Sequence, residues 1–355
     1  MKPRIAVIGL GRIAWLMDDD PLRTKPCTHV GAYLNRGCEI VAGCDIRQDR
    51  QQLFAERFDV QHVYNDYEDM LNQHELDGLS ICAYATERRA MVMAAIRRNV
   101  PAIFCEKAFA TSLEEADEMV AAVKQANTRL VVAHMRRWVP EYQRVKNMLD
   151  AGDLGEIQSV NVMFSGSLIH TGTHAFDVLN WWFGQPVAVR GKVFTKGPAD
   201  KESGYRFGMD NVGDAGGIGQ VIYANDIIVN IEGRVKNYFI FEMDVIGTEG
   251  RIRIGNDGMY FFQSAVSRQV SGFHELAPRT IEMPMQTGTA WDAAVNVVLP
   301  TINQRDKESV PPSTSTATDA RTALEIAMGF FLSDNRGGSE VGFPLERTGL
   351  KISSR

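Results

Sequence analysis

The segment Arg4–Ala14 constrains the fold of this chain most, because it combines a short apolar strand with a glycine-rich turn. The residues from Ile5 to Ile8 are all apolar, as in the central strand of a parallel sheet. Gly9 permits a tight turn, Gly11 lets the backbone approach a phosphate, and Ala14 allows a following helix to pack closely. The unpaired N–H groups at the start of that helix favour an anion. The pattern predicts the pyrophosphate end of a dinucleotide site.

A second apolar strand, Glu39–Cys44, supports this interpretation because it is followed by an acidic residue, Asp45. In a dinucleotide site, an acidic residue at this point binds the ribose hydroxyls and repels the 2′-phosphate of NADP. We therefore expect NAD as the cofactor, with NADP less favoured. Arg47 and Arg50 lie close to Asp45 in sequence, and their positive charges would weaken that preference.

The length and composition are typical of a globular protein with two domains. The chain has 355 residues, of which 45% are hydrophobic, and this length exceeds that of most single domains. The formal net charge of -6 gives no basic surface for nucleic acid. No apolar run approaches the length of a membrane span, and the first residues have the pattern of a strand rather than of a signal peptide. We expect a cytoplasmic protein without nucleic-acid or membrane partners.

The first part of the chain alternates strand and helix patterns, which predicts right-handed βαβ crossovers and a parallel sheet. The predicted strands are Ile5–Ile8, Glu39–Cys44, Gly78–Ala83, Ala102–Cys105 and Leu130–Ala133. The predicted helices are Gln48–Phe58, Tyr67–Leu71, Ala90–Arg98, Leu113–Asn127 and Tyr142–Ala151. We assign residues 1–135 to a Rossmann-type, doubly wound α/β domain.

Beyond Gly155 the pattern changes to long β-type runs joined by turns such as Asn256-Asp257-Gly258. These runs are Ile157–Phe164, Val187–Phe194, Gly219–Ile231, Tyr238–Ile246 and Gly250–Ile254. The predicted helices are Thr173–Phe183, Ala290–Asn303 and Thr318–Leu332. We assign residues 136–355 to an α+β domain with an open, mostly antiparallel sheet for substrate binding and oligomerisation, whose last helices are free to pack back on the first domain.

An open sheet of this size has few helices to cover it. We expect both of its faces to be apolar, so the second face must be buried elsewhere. We therefore expect a homodimer or homotetramer that forms through this sheet.

Together these features resemble the Gfo/Idh/MocA oxidoreductases, the family of glucose-fructose oxidoreductase and inositol dehydrogenase. Three marks carry the resemblance: Gly9-x-Gly11-x-x-Ala14 with Asp45, Glu106-Lys107-Ala108 after the fourth strand, and His174-Ala175-Phe176-Asp177 at the start of a helix. Met135-Arg136-Arg137-Trp138-x-Pro140 is also similar to a family segment. The resemblance covers nearly the whole chain. It implies hydride transfer between NAD(P) and a secondary alcohol of a sugar, cyclitol or sugar derivative, and it does not identify the substrate.

Such a reaction also needs a group that removes the hydroxyl proton. Lys107 is a candidate, since it lies just past the carboxyl end of a predicted strand, where open α/β sheets bind ligands. From the residues alone, Lys107 is equally well a surface lysine with Glu106 as its salt-bridge partner. In the family, this lysine hydrogen-bonds the reacting hydroxyl, and the helix histidine, here His174, takes or relays the proton. The resemblance therefore favours a catalytic role for both residues.

His170, His174 and Asp177 have the spacing of one helix face, although Gly172 predicts that the helix begins at Thr173. Asp177 is placed to fix the tautomer of His174. The alternatives are a hydrogen-bonded histidine near a helix N-terminus and a metal site. We expect no metal, because no further ligand cluster accompanies these residues and none of the five cysteines has metal-ligand spacing.

The chain departs from the family pattern at three positions of the site. His170 stands where many members have Asp, which suggests either a two-histidine relay or an anionic group on the substrate. Ala108 replaces the proline of Glu-Lys-Pro, which predicts a less constrained lysine loop. Residues 83–88 replace a Thr-Pro-x-x-x-His segment, and the Tyr84 of this segment either stacks on the nicotinamide, lines the pocket or fills the space left by the proline.

Residues 15–28 form an insertion in the helix that normally follows the glycines and leads to a histidine, here His29. Its aspartate run predicts a polar loop at the mouth of the cofactor cleft. This loop is either solvated or in contact with substrate or a neighbouring subunit.

The expected site contains three overlapping sets of residues. The cofactor-binding residues are Gly9, Gly11, Arg12, Ile13, Asp45, Arg47, Tyr84, Glu106 and Lys107. The catalytic residues are Lys107, His174, His170 and Asp177, and the substrate-binding residues are Lys107, Arg136, Trp138, His170 and His174. Two alternatives to a dehydrogenase that releases its cofactor stay open: a non-catalytic regulator that binds a dinucleotide or ligand, and an oxidoreductase that retains its cofactor.

Overall fold

The computed structural model describes residues 2–194, 216–235, 237–281, 287–299, 311, 313–345 and 348–351. These residues form two compact units. The first unit contains the described residues within Met1–Trp138, Thr287–Arg321 and Gly349–Arg355, and the second contains those within Val139–Gln286 and Thr322–Thr348. In this part of the chain, no helix is both long and apolar enough to cross a membrane.

The first unit is built on a parallel sheet of six strands in the order β3-β2-β1-β4-β5-β6. The strands are β1 (Arg4–Ile8), β2 (Glu39–Cys44), β3 (Val63–Tyr64), β4 (Gly78–Ile81), β5 (Ala102–Cys105) and β6 (Arg129–Val132). The helices are α1 (His29–Asn35), α2 (Gln48–Phe58), α3 (Tyr67–Gln73), α4 (Ala85–Arg97) and α5 (Leu113–Gln125). This strand order is that of the Rossmann fold, so the predicted fold class is confirmed.

The strands at the centre of this sheet are mostly apolar because both of their faces are buried. Val7 of β1, Leu79 of β4 and Ile103 of β5 are all 0% exposed. The glycine turn, which follows β1, therefore starts from a strand that packing holds in place.

The predicted insertion separates the glycine turn from the first helix. Instead of a helix directly after the glycines, the chain makes turns and a 3₁₀ helix at Leu16–Asp19, and α1 begins only at His29. The N–H groups of His29 and Val30 donate to the carbonyls of Ile13 and Ala14, at 3.2 and 2.9 Å. The insertion is thus an excursion whose two ends are joined by these hydrogen bonds at the start of α1.

Asp18 closes this excursion. One oxygen of its carboxylate accepts the N–H of Cys27 at 2.8 Å, and the other accepts the hydroxyl of Thr28. Thr28 in turn caps α1, because its side-chain oxygen accepts the N–H of Gly31 at 3.0 Å. The aspartate run is therefore partly structural, while the tip of the loop is exposed, with Leu22 at 93%.

The second unit is built on a sheet of nine strands in the order β14-β13-β12-β11-β7-β10-β9-β8-β15. The strands are β7 (Ile157–Ser165), β8 (Pro186–Val193), β9 (Gly217–Tyr223), β10 (Ile228–Val235), β11 (Phe241–Gly247), β12 (Gly250–Gly255), β13 (Gly258–Val266), β14 (His274–Ile281) and β15 (Val341–Gly342). All pairs are antiparallel except β7 with β10, which confirms the predicted open, mostly antiparallel sheet.

Four more helices complete the described elements: α6 (Pro140–Ala151), α7 (Thr173–Phe183), α8 (Thr287–Val298) and α9 (Ala317–Asn335). Helix α8 belongs to the first unit, and the residues of α9 are divided between the units at Arg321. In the second unit, Phe176 of α7 contacts Phe164 of β7 edge-on and stacks on Phe330 of α9, at centroid distances of 6.4 and 5.9 Å. These helices cover one face of the nine-stranded sheet.

The other face of this sheet carries a row of polar side chains in cross-strand register. The row, which we call the polar row, consists of Arg190, Gln220, Asn230, Asn161, Asp244, Arg253 and Tyr260 on seven neighbouring strands. Amide and guanidinium groups hydrogen-bond along it: Arg190 donates to Gln220, Gln220 to Asn230 and Asn230 to Asn161, at 2.6 to 3.0 Å. The expectation that both faces are apolar is wrong, since the second face mixes these groups with residues such as Ile228.

Several predicted element bounds also need correction. The run Gly219–Ile231 is two strands, since Asn225 and Asp226 adopt positive φ angles of 65° and 61° and turn the chain between β9 and β10. Helix α4 begins five residues before the predicted Ala90, at Ala85. The helix predicted over Ala290–Asn303 covers Thr287–Val298, and its predicted last residues lie outside the described part of the chain.

Candidate active site

The carboxyl ends of four neighbouring parallel strands bring the predicted residues of the first unit to one edge of the sheet. Gly9 follows β1, Asp45 follows β2, Tyr84 lies three residues after β4, and Glu106 follows β5. Ligands of open α/β sheets bind at this edge, where the strand order reverses between β1 and β4. We refer to it as the carboxyl edge.

Gly9 makes the turn at the end of β1, and its backbone requires a glycine. Its φ of +85° is disfavoured for other residues, and a Cβ atom at this position would lie 2.7 Å from the backbone nitrogen of Ala83. Its N–H donates to the carbonyl of Cys44 at 2.8 Å. The turn is therefore packed between the ends of β2 and β4 with no room for a side chain.

The carboxylate of Asp45 connects the end of β2 to the glycine turn. One oxygen accepts the N–H of Leu10 and the other accepts the N–H of Arg47, at 2.8 and 2.9 Å. Each carboxylate oxygen has a second lone pair, so these two bonds orient the group and leave capacity for hydroxyl donors. Asp45 thus has the position and the acceptors that a ribose needs.

Two arginines surround this carboxylate in different ways. The guanidinium of Arg47 pairs with Asp49 at the start of α2, with Nε 3.0 Å from the carboxylate oxygen. The guanidinium of Arg50 lies over the turn instead, because a Cβ atom at Gly11 would be 2.6 Å from its Nη1. An anion at the glycine turn would meet Arg50 there. The adjacent predicted residues Arg12 and Ile13 are exposed and half-buried, respectively.

A buried hydrogen-bonded network lies behind the end of β5. His29 is 0% exposed and packs against the ring of Phe104, with 4.3 Å between the centroids. Its Nδ1 is 2.9 Å from the hydroxyl oxygen of Ser80, and its Nε2 is 3.4 Å from Oε1 of Glu106. Because an ionised carboxylate only accepts, Nε2–H donates to Glu106. In the sequence, His29 marks only the end of the insertion, and nothing there predicts this network.

Glu106 is ionised in this setting. Burial opposes its ionisation, but the hydrogen bond from His29 and the charges of His29, Lys107 and Arg88 outweigh burial and hold the pKa of Glu106 below its usual range. Its Oε2 also accepts the backbone N–H of Lys107 at 3.1 Å. Glu106 is 7% exposed, so it is a buried anion.

Lys107 lies next to this anion, with its side chain half-buried. Burial lowers the pKa of Lys107, the negative charge of Glu106 opposes this shift, and the positive charges of Arg88 and Arg136 add to it. The net shift is downward, so Lys107 releases its proton at a lower pH than an exposed lysine does. A shift in this direction favours the neutral amine, the form in which a lysine acts as a general base.

The loop that carries Lys107 is fixed from behind by Arg88. The Lys107–Ala108 peptide is cis, and the guanidinium of Arg88 donates to the carbonyl of Ala108. Ala108 itself is 1% exposed. The expectation of a less constrained loop is therefore wrong, because a hydrogen bond and burial hold the segment in the absence of a proline ring.

The segment Met135–Trp138 is a 3₁₀ helix after β6. Arg136 contributes positive charge at Lys107, while Arg137 is 2% exposed and donates to the carbonyl of Thr314 at 3.0 Å. Trp138 is also 2% exposed and contacts the ring of Phe104 edge-on, at 6.3 Å between centroids. Its role in substrate binding stays a prediction. Tyr84, in contrast, is 64% exposed at the start of α4.

In the second unit, the predicted residues lie on one helical run. Leu168–Gly172 forms a π-helical turn that leads into α7, which begins at Thr173 as Gly172 predicts. The hydroxyl oxygen of Ser167 caps this turn by accepting the N–H of His170 at 3.1 Å. His170 and His174 are half-buried, whereas Asp177 is 0% exposed. The pairing of these residues with each other and with Lys107 stays a prediction.

Within the described residues, no group of three or more His, Cys, Asp or Glu side chains could hold a metal ion. All five cysteines are free thiols. The residue that sequence reasoning missed most clearly is Arg88. The available signal was a charged residue on the apolar stripe of α4, with the same spacing as Ala85, Val92 and Ala95.

A Rossmann sheet with this turn and this acidic residue defines a dinucleotide-binding protein. Residues 3–134 match the family model described as "Oxidoreductase family, NAD-binding Rossmann fold", and residues 146–343 match "Oxidoreductase family, C-terminal alpha/beta domain". The chain therefore belongs to the Gfo/Idh/MocA oxidoreductase family, and the resemblance drawn from the sequence is confirmed.

Two curated relatives and one solved structure illustrate the range of the family. The chain is 35% identical to D-apiose dehydrogenase of Paraburkholderia graminis over 44% of this chain and 39% of that protein. It is 27% identical to inositol 2-dehydrogenase of Salmonella typhimurium over 51% of this chain and 54% of that protein. The matches thus span about half the length of these relatives or less. An Agrobacterium radiobacter oxidoreductase in complex with NAD+, L-tartaric acid and magnesium has a TM-score of 0.74 at 18% identity, covering 96% of this chain and 98% of that one.

Proposed function

We propose that this protein is an NAD-dependent dehydrogenase that transfers a hydride between nicotinamide and a secondary alcohol of a sugar, cyclitol or sugar derivative. The observation that carries the proposal is the position of Lys107, which lies with the buried anion Glu106 on the same carboxyl edge as the glycine turn and Asp45. The pKa of Lys107 is also lowered there. A dinucleotide site and a tuned proton-transfer group on one sheet edge suit alcohol oxidation.

The first unit fits the cofactor. Gly9 makes the tight turn after β1, and Arg50 supplies a cation over Gly11 that would meet a pyrophosphate. Asp45 would bind the ribose hydroxyls and repel a 2′-phosphate, which favours NAD over NADP. The engagement of Arg47 by Asp49 supports this preference, since it reduces the positive charge available to a 2′-phosphate.

When bound, the nicotinamide supplies the hydride acceptor or donor. The side chains of this protein would hold and move the proton of the alcohol. We propose that Nζ of Lys107 hydrogen-bonds the reacting hydroxyl and that His174 takes or relays its proton, with Asp177 and His170 in supporting positions, as the family resemblance implies. Arg136 and Trp138 would contact the substrate.

The names of the relatives support the substrate class. The curated relatives include enzymes named D-apiose dehydrogenase and inositol 2-dehydrogenase, and solved structures of this fold include a levoglucosan dehydrogenase in complex with NADH and levoglucosan. The compounds share ring or chain carbons with secondary hydroxyl groups. We propose a substrate of this kind, without choosing among them.

The test is to mix the purified protein with NAD and a panel containing D-apiose, myo-inositol, levoglucosan and their oxidised or acidic derivatives, and to follow NADH absorbance. NADH formation with at least one member supports a dehydrogenase. Binding of NADH without any turnover would overturn the proposal in favour of a regulator. A dinucleotide that copurifies with the protein and cycles between two substrates would indicate an oxidoreductase that retains its cofactor.

We further propose that the protein self-associates through the face of the nine-stranded sheet that bears the polar row. Its in-register amides offer directional contacts beside Ile228, and Asp244 of the row also pairs with Arg251, at 2.7 Å. Sedimentation velocity at micromolar concentration should show a dimer or tetramer. The variant Asn161→Arg, at the centre of the row, should shift the association equilibrium toward monomer. A parent protein that is monomeric would contradict the proposal.

We also propose that it acts in the cytoplasm. The five free thiols support this location, because cytosolic conditions keep thiols reduced. Fractionation of the source cells with an antibody against the chain would test it, and recovery in an extracytoplasmic fraction would contradict it.

A further inference from the structure

Arg88 occupies an unusual position for a charged residue. It lies on the buried face of α4 in line with Ala85, Val92 and Ala95, and it is only 5% exposed. Burial of a charge is costly unless other groups compensate for it. The surroundings of Arg88 should therefore show what the charge is for.

Those surroundings converge on the lysine loop. The guanidinium donates to the carbonyl of Ala108, and among the described residues its Nε has no hydrogen-bond partner. The ionisable groups that face it are the thiols of Cys82 and Cys105 and the carboxylate of Glu106, which supplies the compensating charge. Arg88 thus contacts the residue after Lys107 and faces the residue before it.

We propose that Arg88 is a positioning residue for Lys107, holding the segment 106–108 in place through its hydrogen bond to the carbonyl of Ala108. The inference rests on the proposed function, because that function is what requires Lys107 to be held in position. The segment is held on both sides: His29 donates to Glu106, Glu106 accepts the N–H of Lys107, and Arg88 holds the carbonyl of Ala108. Without the hydrogen bond from Arg88, burial alone would hold the Ala108 side of the segment.

The charge of Arg88 has a second, separable effect. Glu106, Arg88 and Arg136 face Lys107, and the two arginines both favour its neutral form. Loss of the charge at position 88 should therefore raise the pKa of Lys107, whereas a lysine at this position should leave it near the parent value. Position and charge can thus be measured independently of each other.

The test compares Arg88→Met with the neighbouring Arg89→Met. Arg89 lies on the exposed face of α4 and pairs with Glu118, so the control removes the same group from the same helix. Three quantities are measured: kcat with a substrate from the panel, the Kd of NADH, and the pH dependence of Lys107 labelling by an amine-reactive reagent, read by mass spectrometry. Labelling needs no turnover, so it tests the inference even if the proposed reaction is wrong.

We expect Arg88→Met to lower kcat about tenfold or more, the scale of one hydrogen bond to a charged group, with the Kd of NADH within about twofold of the parent. Lys107 labelling should need a higher pH, Arg89→Met should match the parent, and Arg88→Lys should restore the labelling and give an intermediate kcat. A folded Arg88→Met with parent kcat and parent labelling would overturn the inference. If Arg88→Met fails to fold, Arg88→Lys decides: parent kcat in that variant would overturn it.

Discussion

Asp45 and Glu106 both follow strands of the same parallel sheet, but their surroundings differ. Asp45 is half-buried, and its two oxygens accept backbone N–H groups of Leu10 and Arg47. Glu106 is buried, and it faces His29, Lys107 and Arg88. The backbone donors orient the carboxylate of Asp45, whereas Glu106 is an anion beside Lys107, the proposed proton-transfer group. On the proposed function, the carboxyl edge is divided into an end for binding and an end for chemistry.

The largest effect should come from the chemical end. Lys107→Ala removes the tuned amine, and we expect kcat to fall about 10²-fold or more, the usual contribution of a general acid or base. Steady-state kinetics with a substrate from the panel would measure this, with Lys124→Ala, an exposed lysine on α5, as the control. An unchanged kcat in Lys107→Ala would remove the distinction between the two ends.

A smaller effect should appear at the binding end. Asp45→Asn removes the negative charge that opposes a 2′-phosphate, so the ratio of kcat/KM for NAD to that for NADP should fall about tenfold, or about 1.4 kcal/mol. Asp69→Asn, an exposed carboxylate on α3, should leave the ratio unchanged. If NADP were already the better cofactor of the parent, the role assigned to Asp45 would be wrong.

His29 tests whether the buried network supports the chemical end. His29→Leu leaves Glu106 without its buried donor, which should cost about 1–3 kcal/mol of unfolding free energy and raise the pKa of Glu106. Urea denaturation would measure the loss, and His74→Leu, at a half-buried position, serves as the control. Equal stability of His29→Leu and the parent would show that the network is not a support.

The smallest expected effect is a shift in a pH profile. Glu106 raises the pKa of Lys107, so Glu106→Gln should lower it further, and the rise of kcat/KM with pH in the oxidative direction should occur at lower pH. Arg88→Met should shift the same limb in the opposite direction. The exposed Glu87→Gln should leave the profile in place. Shifts of the same sign in Glu106→Gln and Arg88→Met would contradict this electrostatic arrangement.

The binding end could be predicted from sequence because its residues are local. Gly9, Gly11 and Asp45 belong to a strand–turn–helix pattern and to the next strand, and each has a fixed purpose in that pattern. The insertion predicted there is present, and α1 begins at His29, where the N–H groups of His29 and Val30 donate to carbonyls that precede the insertion. Only the folded chain shows that Ile13 and Ala14 accept those bonds.

The chemical end could be predicted only in part, because its supports are distant in sequence. Lys107 is identified by its motif, but its neighbours are held from distant helices. His29 of α1 bonds Glu106, 77 residues later, and Arg88 of α4 bonds Ala108, 20 residues later. Nothing in the local pattern at Ala108 indicates that an arginine holds its carbonyl. The polar row was missed for a similar reason, since register across seven strands is set by packing and turns rather than by any one strand.

The most direct test of the division between binding and chemistry measures two quantities on the same two variants. Asp45→Asn and Lys107→Ala are each titrated with NADH to obtain Kd, and each is then saturated with cofactor and substrate to obtain the rate of hydride transfer in a single turnover. We expect Asp45→Asn to weaken NADH binding and to keep a near-parent rate at saturation, and Lys107→Ala to keep the parent Kd and to lose the rate. If each variant changed both quantities to a similar extent, the carboxyl edge would be one undivided site, which would contradict the division between binding and chemistry.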